Sequence, residues 1–415
     1  MLRLSIYKNK LLILVFLIYL ATASLAFAAS YQLSPNKHIQ IHGFASQSYI
    51  YTDNNNFFGN SSDKGSLDFR ELGLNASFQA WKKLHTAVQI LSRRAGEFDN
   101  GKIKLDFAIA DYRIKQTSLY SIGIRAGRVK NPFGFYNDTR DVSFTRSGII
   151  LPQSIYFERT RDLSISSDGI QIYGHRDINQ GSIQLQLFAA MPRVEDENTE
   201  LAVLNGDKPG AFTGEPSYLG RLLFKTHDNK FKIALSDVLL NMDYEPTQSE
   251  AGFNGDASVQ FHLSILSIQF TYAQWSITGE YARRKLDFKN MFSAYVPSFL
   301  SETTGESYYL QLSYHLNFHW KVFTRYDVLY QNKNDKDGSE YANNLAAIGV
   351  TKPAHSRFAK DMTVGIQWSI NTSWMVQFEM HVINGTGWLP LQDNTNIDNA
   401  TQKWRMASAA VSYRF

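Results

Sequence analysis

The densest set of chemically able side chains in this chain lies between residues 128 and 162. Six cations, Arg128, Lys130, Arg140, Arg146, Arg159 and Arg161, stand there among four carboxylates, Asp138, Asp141, Glu158 and Asp162. Guanidinium groups are permanently charged, planar and weakly hydrated. A ring of them attracts anions and lowers the cost of shedding their water. The carboxylates open a second arrangement, in which they pair with the arginines and leave a salt-bridged scaffold with little net field. Both fit the spacing. Asn137 to Asp141 likewise reads as a binding patch or as a turn held by salt bridges. Other chemistry finds no frame. The ten histidines show no metal-ligand spacing. His315 and His319 span a predicted turn, and on a strand such a pair would stand more than about 13 Å apart. Asp335-Lys336-Asp337-Gly338 is similar to part of a calcium loop, but its first and twelfth positions would be Lys333 and Asn344. There is no cysteine and no nucleophile elbow. We therefore expect no catalytic residues, no metal and no cofactor.

The elements that must position these residues read as strands. From Phe358 to Ile370 one face carries Met362, Val364, Ile366 and Trp368, while the other carries Asp361, Thr363 and Gln367. The pattern resumes with Trp374, Val376, Phe378, Met380 and Val382 opposite Gln377, Glu379 and His381. A final strand sets Ala407, Ala409, Val411, Tyr413 and Phe415 on one side. Period two means strand, because successive side chains point to opposite faces. Sixteen such segments are predicted, at 39–51, 67–80, 84–94, 103–114, 119–130, 168–176, 181–190, 217–227, 230–240, 256–271, 274–287, 305–316, 319–331, 358–370, 373–385 and 403–415. The faces of 103–114 and 256–271 can be read either way. Short links alternate with long ones near 52–66, 95–102, 131–167, 191–216, 241–255, 288–304, 332–357 and 386–402. Apolar faces of this length suit strands tilted across a bilayer. Trp81, Trp275, Trp320, Trp368 and Trp374 gather at the short-turn end, as an interfacial belt would, and Trp404 is expected at the opposite interface.

The N-terminus fits export. Arg3, Lys8 and Lys10 precede the apolar run Leu11–Leu20, and Ala26-Phe27-Ala28 matches a small-x-small cleavage site. Residues 1–28 are therefore expected to be a signal peptide, with a membrane anchor as the alternative, and 29–415 one barrel domain. Without those three cations the formal charge of +4 falls to about +1, which argues against nucleic acid as partner.

The expected fold class is all-β: a transmembrane antiparallel β-barrel of about sixteen strands. An open sheet cannot sit in lipid, where each unpaired backbone group costs several kcal/mol. At about sixteen strands the interior is too wide for side chains to fill. What narrows it then decides function. The link 131–167 is long enough to fold into the lumen, seated by Ile149-Ile150-Leu151-Pro152; the alternative is an external loop over the mouth. On the inward reading, the six cations named above form the constriction. Arg93, Arg125, Lys321, Arg325, Asp327, Gln377 and Glu379 would line the pore, and the four carboxylates would be their acidic partners.

Gly43-Phe44-Ala45-Ser46-Gln47, Asp68 to Gly73, and above all Gly127-Arg128-Val129-Lys130-Asn131-Pro132-Phe133-Gly134 resemble the Gram-negative outer-membrane porin superfamily, nearest its phosphate-selective (O/P-type) members. The ending Tyr413-Arg414-Phe415 resembles the signal read by the outer-membrane assembly machinery through Tyr413 and Phe415. The resemblance implies an outer-membrane homotrimer with the third loop in the pore. The resemblance keeps phosphate-like anions among the expected solutes but does not fix phosphate selectivity, because the loop has arginines but almost no lysine, and carboxylates are interspersed. The expected partners are outer-membrane lipid and small hydrophilic solutes, anions by preference. A barrel enzyme and a structural or adhesive barrel with a closed lumen are the alternatives.

Overall fold

The computed structural model describes residues 29–34, 37–204, 210–246, 257–291 and 297–415; the expected signal peptide lies outside these. Alternating sequence gives antiparallel ladders throughout. The first strands are β1 (Ala29–Ser34), β2 (Lys37–Thr52), β3 (Ser66–Trp81), β4 (Leu84–Ala95), β5 (Asp99–Gln116) and β6 (Tyr120–Lys130). After the long loop come β7 (Ser166–Ile178), β8 (Gly181–Pro192), β9 (Gly210–Thr226), β10 (Phe231–Pro246) and β11 (Ala257–Tyr272). The last are β12 (Trp275–Lys289), β13 (Glu302–His315), β14 (Trp320–Tyr330), β15 (Phe358–Ser369), β16 (Trp374–Gly385) and β17 (Lys403–Arg414).

Each strand from β2 to β17 pairs with the next, and β17 returns to β2 through Met406↔Thr52 to Arg414↔Phe44. The result is a closed barrel of sixteen antiparallel strands. No helix among the described residues is long and apolar enough to cross a membrane, whereas strands satisfy their backbone groups on closure. The closing seam is tight. Phe415 N–H donates to Gly43 O at 3.0 Å, and a Cβ on Gly43 would lie 2.5 Å from the Phe415 ring. The extra strand β1, absent from the predicted set, pairs with the first half of β2, from Ala29↔Ile41 to Ser34↔Lys37. It continues the row beside β2 where β17 stops.

The outward face is apolar where hydrocarbon is expected: Leu72, Leu74, Ile170, Ile172, Leu310, Leu312, Met362, Val364, Phe378 and Met380 are all exposed. Its tryptophans pair across strands at the short-turn end. Trp320 stacks on Trp368 at 5.4 Å, Trp374 lies 4.6 Å from Tyr413 and Trp275 4.4 Å from Tyr314. Trp404 departs from expectation. It is at the long-loop end, but it faces inward, buried against Trp388 at 5.3 Å, and its indole donates to Gly385 O.

Two further differences have local causes. The link expected at 95–102 shrinks to residues 96–98, because β5 starts early, at Asp99. Within β5, Gln89 pairs with Phe107 and Ile90 with Leu105, so Asp106 is an extra residue. Such a bulge exchanges the two faces, which is why 103–114 fits both readings. In β11 the two readings apply to different surroundings. Val259, Phe261, Leu263 and Ile265 point inward and are buried, while His262 and Ser264 point outward and bond to Asp237 of β10. Lower on the same strand the outward residues are Leu266, Ile268 and Phe270. The strand extends past the apolar band, so its outer face turns polar; its inner face is apolar because something packs on it.

Candidate functional site

What packs there is the segment 131–165. It starts at a turn that Gly134 makes possible, with φ +57; a Cβ there would sit 2.3 Å from the Tyr156 hydroxyl. Gly134 N–H donates to Ser236 Oγ at 3.1 Å, and Phe135 N–H to Glu280 Oε1 at 3.0 Å. The chain then crosses to the far wall. Ile149 and Ile150 N–H groups donate to the two oxygens of Glu379 at 2.8 and 2.9 Å, and Gln377 Nε2 donates to Ser147 O at 2.9 Å. Ser154 N–H reaches Asp327 Oδ2 at 3.4 Å. Tyr156, fully buried, donates to Glu280 Oε2 at 2.7 Å; burial, reinforced by Glu280, holds its hydroxyl well above the usual tyrosine range, so it stays a donor. Glu280, Asp327 and Glu379 thus satisfy backbone and hydroxyl donors that burial would otherwise orphan. All three are inward-facing wall residues, so the segment lies inside the barrel.

Its apolar residues choose the wall. Phe133, Leu151, Ile155, Tyr156 and Leu163 share a core with Val238, Leu240, Val259, Phe261 and Leu263 of β10 and β11. Ile149 and Ile150 join a second core with Phe57, Phe58, Phe69, Trp388 and Trp404. The stretch Ile149–Leu151 seats the loop as its sequence suggests.

Most of the cations singled out by sequence are consumed here. Arg140, with no exposed surface, donates to Glu158 Oε1 at 2.9 Å and to Tyr156 O at 3.1 Å. Arg93 reaches Glu158 at 2.6 Å, Asp99 at 2.7 Å and Glu71 at 3.3 Å. Arg146 donates to Arg140 O at 2.7 Å and to Glu71 at 3.4 Å. Lys130 lies 2.6 Å from both Asp106 and Asp141, and Arg161 bonds the other oxygen of Asp141. Burial alone would raise the Glu158 carboxyl, but Arg93 and Arg140 outweigh it and hold it below the usual range. Burial, then the like charges of Arg93 and Arg140, pushes Arg161 down to about 9 against the opposing pull of Glu71 and Asp99. The outcome is a buried ionic network against β3, β4 and β5.

The remaining candidates separate. Arg128 shares the outward row of Ile122 and Ala126 and is doubly bonded to Asp168, at 2.8 and 2.9 Å, so it stands apart from the loop. Arg125 is inward, bonded to Asp111 and Gln171 and stacked on Tyr173 at 4.2 Å. Asp138 pairs with Arg221, and Asp162 meets Lys104 at 3.5 Å and Asn198 at 3.2 Å. Arg325 is buried beside Thr363. Asp327, Gln377 and Glu379 are loop anchors. His381, on the same wall, is buried between Asp361 at 2.7 Å and Glu379 at 3.1 Å. Asp335 receives the Tyr341 N–H at 2.8 Å and caps the helix 339–347.

Two recesses flank the loop, and neither is lined by a carboxylate among the described residues. On the short-turn side, Arg146, Lys225, Lys232 and Lys321 line one with Thr278, Gln311 and Ser313. On the long-loop side, Arg159, Arg284, Lys352 and Arg357 line the other among apolar side chains. Of these eight, sequence singled out Arg146, Arg159 and Lys321. Lys225 and Lys232 are direct cross-strand partners, a juxtaposition of like charges that only the register reveals.

Comparison with solved structures agrees with this architecture. The outer-membrane channel DcaP of Acinetobacter baumannii superposes with a TM-score of 0.58 over 93% of this chain and 100% of its own, at 10% identity. The chain has the porin fold. An anion-selective porin from Comamonas acidovorans gives a TM-score of 0.56 over 92% of this chain and 100% of its own, also at 10% identity. OmpF of Salmonella typhi, in complex with daunomycin, gives 0.55 over 93% and 100%, at 11% identity. No family model matches the sequence, and no curated protein matches it.

Proposed function

We propose that this protein is an outer-membrane channel for passive diffusion of small hydrophilic solutes, with a preference for anions. The observation that carries the proposal is the pair of recesses beside the loop, both lined by cations and, among the described residues, by no carboxylate. A positive field in a low-dielectric wall raises the local anion concentration and lowers the barrier to entry. The porin fold of its solved neighbours supports the channel itself, and one of them is an anion-selective porin. In this reading the six loop cations are divided: Lys130, Arg140 and Arg161 hold the loop, Arg146 and Arg159 also face the recesses, and Arg128 stays outside. The loop is the constriction because it stands between the recesses. Export through the leader 1–28, recognition of Tyr413 and Phe415 during assembly, and a homotrimeric state belong to the same reading. Phosphate is one candidate solute among small anions. Recording in a planar bilayer tests it: the reversal potential in a potassium chloride gradient should take the sign of chloride permeation. Folded protein that passes no current favours instead a barrel closed by its loops.

A further inference from the structure

The recess on the long-loop side differs from a diffusion path in its lining. It opens about 470 Å³ of space between the loop 131–165, the helix 197–204 and the segment 331–357. Leu163, Leu204, Phe261, Leu286, Phe288 and Leu345 make its wall. Small hydrated ions gain nothing from such a surface. Its charges are equally particular. Arg284 donates to Gln331 Oε1, a neutral partner, at 2.6 Å, and its guanidinium lies 5.7 Å from the Phe157 ring centre. Arg159 sits at the same distance from that ring. Arg357 lies 4.3 Å over the Tyr341 ring, and its buried Nε meets no hydrogen-bond partner. Aromatic faces offset part of the cost of burying a cation, but they do not neutralise it. The cations also burden one another: burial, then Arg284 and Arg357, pushes Arg159 down to about 10.

We propose that this recess is a binding site for an amphiphilic organic anion, with its single charged head at Arg284 and Arg357 and its apolar body against the leucine and phenylalanine wall. The head supplies the missing counter-charge and accepts the Arg357 Nε–H; the body takes apolar surface out of water. The proposal rests on the channel reading only for how the ligand arrives, since binding itself needs no conduction.

The test is fluorescence anisotropy of 2-naphthalenesulfonate titrated with the folded full chain in detergent, against an empty-micelle blank. Saturable binding is expected, displaced weakly by methanesulfonate, which lacks the body, and by 2-naphthalenemethanol, which lacks the charge. Arg284→Gln and Arg357→Gln should each raise Kd roughly tenfold, equivalent to about 1.4 kcal/mol, with the β-sheet circular dichroism retained. Non-saturable uptake equal to the blank overturns the site, as does equal displacement by the neutral alcohol. Both variants binding as tightly as the parent also overturn it. Protein that binds but carries no current supports the site while rejecting the channel. Protein that conducts but does not bind keeps the channel and rejects the site.

Discussion

The loop 131–165 meets two walls that hold it by different physics. Against β3, β4 and β5 it is held by charge: Glu71, Asp99, Asp141 and Glu158 pair with Arg93, Arg140, Arg146 and Arg161 with almost no exposed surface. Against β10 and β11 it is held by dry packing of Phe133, Ile155 and Leu163 on Val238, Phe261 and Leu263. The contrast shows that an arginine in the barrel is not by itself an anion contact. On the ionic wall every guanidinium has a carboxylate and its field is cancelled locally. Near the apolar wall Arg284 bonds a neutral amide and Arg357 stacks on an aromatic ring with Asp335 as a more distant counter-charge, so part of their field reaches the recess.

Breaking the ionic wall should have the largest effect. Arg140→Ala takes one cation from Glu158, which keeps Arg93, orphans Tyr156 O and leaves the buried network one positive charge short; breaking such a buried pair typically costs about 3–5 kcal/mol. It should release the loop on that side, raising single-channel conductance and its noise. The equivalent break on the dry wall, Phe261→Ala, leaves a cavity beside Leu163 and should cost about 3–4 kcal/mol in urea unfolding. The two variants sharpen the contrast, because only the first adds an unpaired charge and with it a change in ion selectivity. A smaller effect is expected where the walls meet. Tyr156→Phe removes one donor from Glu280, which keeps Ser267, Tyr309 and the Phe135 N–H, and should cost about 1–3 kcal/mol.

Acid should loosen the ionic wall first. Because the folded-state pKa of Glu158 is depressed, its contribution is complete above the unfolded value of about 4.3 and is lost as pH falls through the lower folded one. Protease cleavage within 137–146 should therefore be absent at neutral pH and appear only as pH falls through that lower folded value. The smallest effect should come from Lys352→Ala. Its half-exposed pair with Asp398 at 2.7 Å is worth about 0–1 kcal/mol, and unfolding should barely shift.

These walls also mark how far the sequence could be read. Strand number and outward faces were legible wherever one face met lipid and the other met polar groups, as in β15 and β16. The reading failed locally where that contrast was absent. Asp106 bulges and exchanges the faces of β5; Val259 to Ile265 are apolar inside because a distant segment covers them. The seating role of Ile149 to Leu151 was visible from composition. The fate of the arginines was not, because pairs such as Arg93 with Glu158 and Arg221 with Asp138 join residues far apart in the chain. Nor could Lys225 and Lys232 be singled out before the register of β9 and β10 set them side by side.

The central claim is that anion preference comes from the cations that line the recesses, Lys225, Lys232 and Lys321 of the wall above all, and not from the arginines that hold the loop. The most direct test is the reversal potential, in a potassium chloride gradient, of Lys225→Gln/Lys232→Gln/Lys321→Gln beside the parent. A parent potential on the chloride side that collapses toward zero in the triple variant is the predicted result. A variant that keeps the parent's potential would contradict the account.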